Sequence, residues 1–502
     1  MSESLTRLPS TPGPDSDCAP GSACAMRRLD DDLPAARELI DKPEGVGLFD
    51  LRTKDDGVSA CTLCGVCAKK CPVSCIDVRR HGKLRKGEGA TLRLGSIRVD
   101  ESRCIGCGHC VDVCAFDALV PTQAFERRRD FFRTLATKEQ GLASGHGLCS
   151  GCGASVVVNL VLSALEGPYV ASAATGCLEV STTRYPYTSW RGSFIHTLFE
   201  NSAATLSGVE TAYRALKKKG EIDEDVKFIA FGGDGGTYDI GLQALSGAME
   251  RGHDMLYVCY DNGAYMNTGF QRSSATPIGA WTSTSPVGSD GMGKLQHSKN
   301  LTEIMVAHRL PYVAQASPHD PLDLVRKAKK ALQTKGATFL NILSPCPRGW
   351  RTENDETIDL AREASETCFW PLFEVENGHY RLTYRPKKKK PLAQWMERQG
   401  RFNHLARQEE HELFVAIQQF VDDEWDLLLR KCGEVSEAEW GAVKLREEDL
   451  QLHPVHQHLE SLGEPLTASM TEAALEVTSH LEHWRWPAIS SAMSWGAFDE
   501  DE

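Results

Sequence analysis

The stretch that decides the fold runs from Phe228 to Gln271: FIAFGGDGGTYDIGLQALSGAMERGHDMLYVCYDNGAYMNTGFQ. It opens on an apolar run of strand length, Phe228 to Phe231, that ends in Gly232-Gly233-Asp234-Gly235-Gly236. Glycines there let backbone N–H groups approach a phosphate closely, and a carboxylate among them can hold a divalent cation on that phosphate. A segment of helical period follows, with Ile240, Leu242, Leu245, Ala248 and Met249 as its apolar face. A second strand, Met255 to Cys259, leads into Asp261-Asn262-Gly263. Ends of neighbouring parallel strands lie side by side, so Asp234 and Asn262 come within reach of one cation. The pattern predicts a diphosphate–Mg²⁺ site built from two loops. A dinucleotide fingerprint needs G-x-G-x-x-G and an acidic residue at the next strand end, and neither is present as such.

The stretch resembles the thiamin diphosphate motif, which runs from Gly-Asp-Gly to an Asn about one βαβ unit later. Residues Asp261 to Gly269, DNGAYMNTG, further resemble the cofactor loop of the 2-oxoacid:ferredoxin oxidoreductases. The resemblance implies that Asp234, the Asn262 side chain and the Ala264 carbonyl bind Mg²⁺. It also implies that Gly233, Asp234, Gly235 and Gly236 receive the diphosphate, with Asn267 and Thr268 facing it. The bland alternative is a glycine-rich turn in an arbitrary α/β domain.

The 502 residues, 41% of them hydrophobic, suffice for two or three domains. A formal charge of −13 argues against nucleic acid as a main partner. No apolar run reaches membrane-spanning length, and the polar, proline-containing N-terminus does not read as a signal peptide. Most of the 18 cysteines fall in short clusters with ligand spacing, which points to metal–sulfur sites in a reducing, cytoplasmic setting.

Residues 1–54, with Cys18 and Cys24, read as a disordered or extended arm carrying a short helix at Leu33 to Ile40. Residues 55–125 form a separate module. Cys61-x₂-Cys64-x₂-Cys67-x₃-Cys71-Pro72 and Cys104-x₂-Cys107-x₂-Cys110-x₃-Cys114 follow the bacterial two-cluster ferredoxin pattern. In that pattern three cysteines of each run hold one cube and the fourth crosses to the other. Cys61, Cys64, Cys67 and Cys114 are therefore assigned to one [4Fe–4S] cluster, and Cys104, Cys107, Cys110 and Cys71 to a second. Zinc is the alternative for clustered cysteines, but paired runs of this spacing favour iron–sulfur. Cys75 stands where small residues usually pack, and Ala115 replaces a frequent proline. Ala90 to Val99 is expected to form a hairpin turning at Gly95-Ser96. Residues 126–144 read as a linker with one helix at Phe131, Phe132 and Leu135.

Residues 145–405 read as the diphosphate-binding domain, an α/β parallel sheet with helices on both faces. Cys149-Ser150-Gly151-Cys152 precedes the helix Ala154 to Leu165 and alone fits zinc, a redox dithiol or half a cluster. Strand Tyr169 to Ala174 leads into Thr175-Gly176-Cys177-Leu178-Glu179, and strand Leu340 to Leu343 into Ser344-Pro345-Cys346. Both cysteines can then lie on the edge that carries the diphosphate loops. The family resemblance pairs Cys149, Cys152, Cys177 and Cys346 as ligands of a proximal [4Fe–4S] cluster, and sets Gly176, Cys177, Leu178 and Glu179 beside the cofactor. Cys259, Cys368 and Cys432 read as small buried side chains, the last two in helices. Thr182 to Trp190 resembles the segment near the active centre of pyruvate-type members. Residues 406–502 read as an acidic helical extension of no assigned role.

The diphosphate-binding portion, up to Arg401 to Leu405 where the resemblance fades, resembles the beta subunits of the pyruvate:ferredoxin oxidoreductases, and the ferredoxin-like module fused ahead of it departs from the common layout. The resemblance implies conversion of pyruvate, coenzyme A and oxidised ferredoxin to acetyl-CoA, CO₂ and reduced ferredoxin, reversibly, with thiamin diphosphate, Mg²⁺ and three [4Fe–4S] clusters. Other 2-oxoacids, and a purely electron-transferring role, are the alternatives. The family draws its cofactor-activating glutamate from another domain or subunit, and nothing aligns Glu179 or Glu200 with it. Alpha-type and gamma-type partners and an external ferredoxin or flavodoxin are therefore implied.

Overall fold

The computed structural model describes residues 48–433 apart from 53, 55–58, 86–90, 101–102, 289–290, 387 and 407–410. The expected helix at Leu33 to Ile40, Cys18, Cys24 and most of the C-terminal extension lie outside those residues. Two compact units divide between Lys138 and Glu139.

In the first unit, β1 (Phe49–Leu51) pairs antiparallel with β4 (Leu119–Pro121), and β2 (Ile76–Arg85) with β3 (Thr91–Val99). The hairpin expected within Ala90 to Val99 is not formed. Residues Thr91–Val99 run as one strand, and Gly95 pairs with Arg80 beside a register shift. A turn there would pair only two short halves with each other, whereas β2 offers a ladder along the full length of Thr91–Val99. Helix Gln123–Thr137 starts at Thr122, whose hydroxyl accepts from the Phe125 N–H. It is part of this unit: Phe125 is buried against Phe49 with ring centroids 4.7 Å apart. The stretch read as a linker is thus largely packed helix.

The second unit is built on an eight-stranded sheet. Its strands are β5 (Tyr169–Ala174), β6 (Ser193–Thr197), β7 (Lys227–Gly233), β8 (Leu256–Asp261), β11 (Tyr312–Ala316), β12 (Thr338–Leu343), β13 (Phe373–Glu376) and β14 (His379–Leu382). A two-stranded pair, β9 (Val287–Gly288) with β10 (Gly291–Met292), sits within the long loop after β8. The spatial order is β14-β13-β11-β12-β8-β7-β5-β6. Every pairing from β11 through β6 is parallel, while β13 and β14 add an antiparallel hairpin at one edge. That hairpin turns at Asn377-Gly378, both with positive φ, as a two-residue turn between right-twisted strands demands. β8 and β12 are buried along their whole lengths, the mark of central parallel strands covered on both sides.

The helix Ser202–Lys219 packs on β5 and β7 and ends at left-handed Gly220, with three lysines in its last turn. The helix His411–Lys431 is integral to the unit. Leu413, Ala416, Ile417 and Val421 join the cluster of Trp350, Trp395 and Phe402, and Trp425 and Leu428 join that of Phe339 and Val375. Lys389 and Lys390 tie the preceding strand-to-helix connection to Asp422 and Glu366. Leu413 is fully buried. Leu413→Ala should cost about 2–5 kcal/mol, read as a lower denaturant midpoint in tryptophan fluorescence. An unchanged midpoint would mean that this helix is not part of the core.

Candidate functional site

Parallel register fixes where the functional loops meet. Gly233 of β7 pairs with Tyr260 of β8, Asp261 of β8 pairs with Leu343 of β12, and Ala173 of β5 pairs with Phe231 of β7. The loops leaving β5, β7, β8 and β12 carry Cys177, Asp234, Asn262 and Cys346, so all four sit on one edge of the sheet.

Asp234 is fully buried. Its Oδ1 accepts from the Asn262 backbone N–H at 3.3 Å, and its Oδ2 from the Ser273 hydroxyl at 2.5 Å. The Asn262 carboxamide lies 2.9 Å from both Asp234 Oδ1 and the Ala264 carbonyl oxygen. With its NH₂ turned there it donates to both; with its oxygen there, three oxygens converge, an arrangement that a hard cation satisfies. The residues present therefore fit a divalent cation. Burial, with the Asp261 charge second, holds the Asp234 carboxyl well above the usual carboxylate range, and a bound cation reverses that preference. Asp261 points elsewhere: it accepts from Tyr238 Oη at 2.6 Å and from the Gly263 N–H at 2.9 Å, and burial pushes it up to about 6.

The turn after Asp234 is a π-helical segment, Gly235–Ile240. A Cβ on Gly235 would lie 2.6 Å from the Tyr265 ring, so only glycine lets the two cofactor loops close on each other. The loop after β8 is clamped from below by Lys294, which is 1% exposed and donates to the carbonyls of Thr276 at 2.5 Å and Ser274 at 3.3 Å. Asn267 and Thr268 stand on an exposed turn, with Thr268 Oγ1 donating to Gln271 Oε1 at 2.5 Å.

The four cysteines of the sheet edge are gathered by backbone bonds between their loops. The Gly153 N–H donates to the Pro345 carbonyl at 3.0 Å, tying the Cys152 loop to the Cys346 loop. The Gly147 N–H donates to Ser181 at 2.8 Å, tying the Cys149 loop to helix Cys177–Thr182. Cys346 Sγ accepts from the Gly349 N–H at 3.4 Å. The Cys177 thiol feels Cys346, Cys152 and Cys149, and burial before these pushes it up to about 12. Glu179, buried in the same helix, accepts from Thr183 Oγ1 and pairs with His196 Nδ1. Gly176 and Leu178 flank Cys177 at that helix start, and Leu178 is fully buried. Trp190 is buried with its Nε1 donating to Thr182 Oγ1 at 2.9 Å, whereas Tyr185 and Tyr187 are exposed.

In the first unit, Cys61, Cys64, Cys67 and Cys114 line one small cavity. Cys71, Cys104, Cys107 and Cys110 line a second, together with Cys75. The crossing of the fourth cysteine of each run is thus a feature of the fold. Sulfur-directed N–H groups come from Leu63 to Cys61, Gly106 to Cys104 and Ala118 to Cys114, at 3.3 to 3.4 Å. Cys75 Sγ lies 3.4 Å from Cys71 Sγ. Two cavities, one lined by four thiols and the other by the four expected thiols and Cys75, fit two iron–sulfur cubes. Among the described residues, no group of three or more His, Cys, Asp or Glu is placed to hold a single metal ion.

Sequence reasoning missed several participants. Ser273 lies in a Ser-rich loop and nothing marks it as the Asp234 partner. Trp350, whose Nε1 donates to the Asn262 carbonyl at 2.7 Å, carries only its spacing from Cys346. Arg401 is buried, and nothing local in its sequence marks it as such. Cys259 is buried as expected, but Cys368 follows helix Thr357–Glu366 with positive φ and Cys432 follows helix His411–Lys431, so neither lies in a helix.

Fold and site together define a thiamin diphosphate-binding subunit with an appended iron–sulfur module. Residues 174–342 match the family model described as thiamine pyrophosphate enzyme, C-terminal TPP binding domain, and residues 60–118 match 4Fe-4S dicluster domain. The pyruvate synthase subunit PorB of Thermotoga maritima is 53% identical over 298 residues, covering 58% of this chain and 92% of that protein. PorB of Methanocaldococcus jannaschii is 50% identical over 293 residues, covering 58% and 97%. The ketoisovalerate oxidoreductase subunit VorB of Pyrococcus abyssi is 42% identical over 299 residues, covering 59% and 94%. The chain belongs to this family of PorB-type subunits. Among the described residues, no helix is long and apolar enough to cross a membrane.

Ser273→Ala removes the hydroxyl that donates to Asp234 Oδ2, and should weaken cation-dependent thiamin diphosphate binding roughly 10–100-fold. Asp234→Asn should abolish it, because size is kept and charge is lost. Titration calorimetry on the cluster-loaded protein checks both. Unchanged affinity in Asp234→Asn would contradict the assignment of this loop.

Proposed function

We propose that this chain is the catalytic beta-type subunit of a pyruvate:ferredoxin oxidoreductase that converts pyruvate, coenzyme A and oxidised ferredoxin to acetyl-CoA, CO₂ and reduced ferredoxin. The observation that carries the reading is the sheet edge itself: the Asp234–Asn262 site and the Cys177 and Cys346 loops leave neighbouring strands. A decarboxylase or synthase that keeps its electrons has no use for thiols at that edge.

When bound, thiamin diphosphate supplies the carbon that adds to a 2-oxoacid and lets CO₂ leave, while iron–sulfur clusters accept single electrons. The chain's own residues bind and orient. Asp234, the Asn262 side chain and the Ala264 carbonyl hold Mg²⁺ on the diphosphate. Ser273 orients the Asp234 carboxylate, and Trp350 fixes the Asn262 backbone from the cluster side. Gly233, Gly235 and Gly236 keep the diphosphate path free of side chains, with Asn267 and Thr268 at its rim. Cys149, Cys152, Cys177 and Cys346 would hold a proximal [4Fe–4S] cluster, with Gly176, Leu178 and Glu179 beside Cys177 toward the cofactor. The two cysteine-lined cavities of the first unit hold two more, which serve as the exit toward ferredoxin or flavodoxin.

Alpha-type and gamma-type partners complete the assembly, and the activating carboxylate comes from the partner. The domain plan that follows is a two-cluster module that takes in Phe49–Leu51 from the stretch read as an arm, the thiamin diphosphate domain and a C-terminal segment whose first described helix belongs to the domain core. VorB-type similarity keeps ketoisovalerate as the second reading of substrate.

The test is a panel of pyruvate, 2-ketoisovalerate, 2-oxoglutarate and an aryl pyruvate with the purified assembly, coenzyme A and ferredoxin. Pyruvate should give the highest kcat/KM. A branched 2-oxoacid exceeding pyruvate would replace the substrate, and no turnover of any member would remove the activity.

A further inference from the structure

Arg401 is almost fully buried, and no carboxylate among the described residues is within ion-pair distance of it. Its Nε donates to Gln399 Oε1 at 2.9 Å, and its guanidinium carbon lies 4.2 Å from the centre of the Trp350 ring and 5.0 Å from that of Phe402. A Cβ built on Gly263, which has φ +74°, would be 3.1 Å from Arg401 Nη1. The cation therefore presses against the turn that follows Asn262. Its aromatic platform is shared: the Trp350 backbone N–H donates to the Cys346 carbonyl at 2.8 Å, and its indole N–H to the Asn262 carbonyl at 2.7 Å. The charges that act on the guanidinium are Asp261, Cys346 and Asp234, and burial before these pushes it down to about 9.

A desolvated cation with no ion partner is costly, and it persists where anions offset it. The groups this edge is built to hold, a diphosphate and a cluster carried on four thiolates, are both anionic. We propose that Arg401 is the fixed counter-charge of this edge, a positioning residue that holds the Asn262–Gly263 turn against Trp350 and raises the reduction potential of the cluster on Cys149, Cys152, Cys177 and Cys346. The proposal rests on the cluster reading above and deepens it. An electron added to that cluster makes it more negative, so a nearby buried cation favours the reduced form. Removing the charge disfavours reduction without touching any cysteine.

The test is an EPR-monitored redox titration of the cluster-loaded holoenzyme carrying Arg401→Gln, Arg401→Met or Arg401→Lys. In either neutral variant the equilibrium for reducing this cluster should fall about tenfold, a midpoint lower by about 59 mV for a one-electron step. The Lys variant should stay near wild type, and the two N-terminal clusters should not move in any variant. An unchanged midpoint in a neutral variant with full iron overturns the proposal, and so does a Lys variant that falls as far as the neutral ones. Should neither neutral variant retain the cluster, the Lys variant decides: retention with an unshifted midpoint supports the role of charge, and loss of the cluster overturns it. A wild-type enzyme without a third cluster signal overturns the underlying cluster reading, which separates that failure from the failure of Arg401.

Discussion

The parallel pairing of β5, β7, β8 and β12 is the constraint on which the rest of the second unit depends. Parallel strands present their C-terminal ends to one side, and the loops leaving them are neighbours in space although distant in sequence. Cys177, Asp234, Asn262 and Cys346 are brought together by this pairing alone. Such strands must be buried on both faces, which is why β8 and β12 are wholly enclosed and why a helix from the far end of the described chain is drawn into the core.

Bonds between loops then turn adjacency into a shaped site. Tyr265 against Gly235, Ser273 on Asp234 and Trp350 on the Asn262 carbonyl each link two loops that the sheet has only set side by side. The buried carboxylates and cations of this edge are poorly compensated by protein alone. Burial raises the Asp234 carboxyl well above the usual carboxylate range, and no carboxylate among the described residues is within ion-pair distance of Arg401. Bound counter-charges would offset the cost of burying these groups.

Much of this was legible in the sequence. The Phe228–Phe231 and Leu340–Leu343 runs announce buried strands by length and composition, and the glycine-rich surroundings of Asp234 and Asn262 mark two loops that meet at one sheet edge. The two ferredoxin-like runs carry their ligand identities in spacing. What could not be read depends on contacts between distant segments. Nothing local distinguishes Ser273 from the other serines of its loop, nor marks Arg401 as buried rather than solvated. Gly95-Ser96 has turn composition, and only the pairing of Thr91–Val99 with Ile76–Arg85 overrides that. The helix His411–Lys431 was read as an extension because its apolar stripe names no partner.

The proposed function requires that this chain carry three clusters, one of them on the sheet-edge thiols. Iron and acid-labile sulfide analysis of the anaerobically purified chain tests it most directly. Three [4Fe–4S] clusters require about twelve of each per chain. A value near eight, as two clusters would give, would leave the sheet-edge thiols empty and contradict the account.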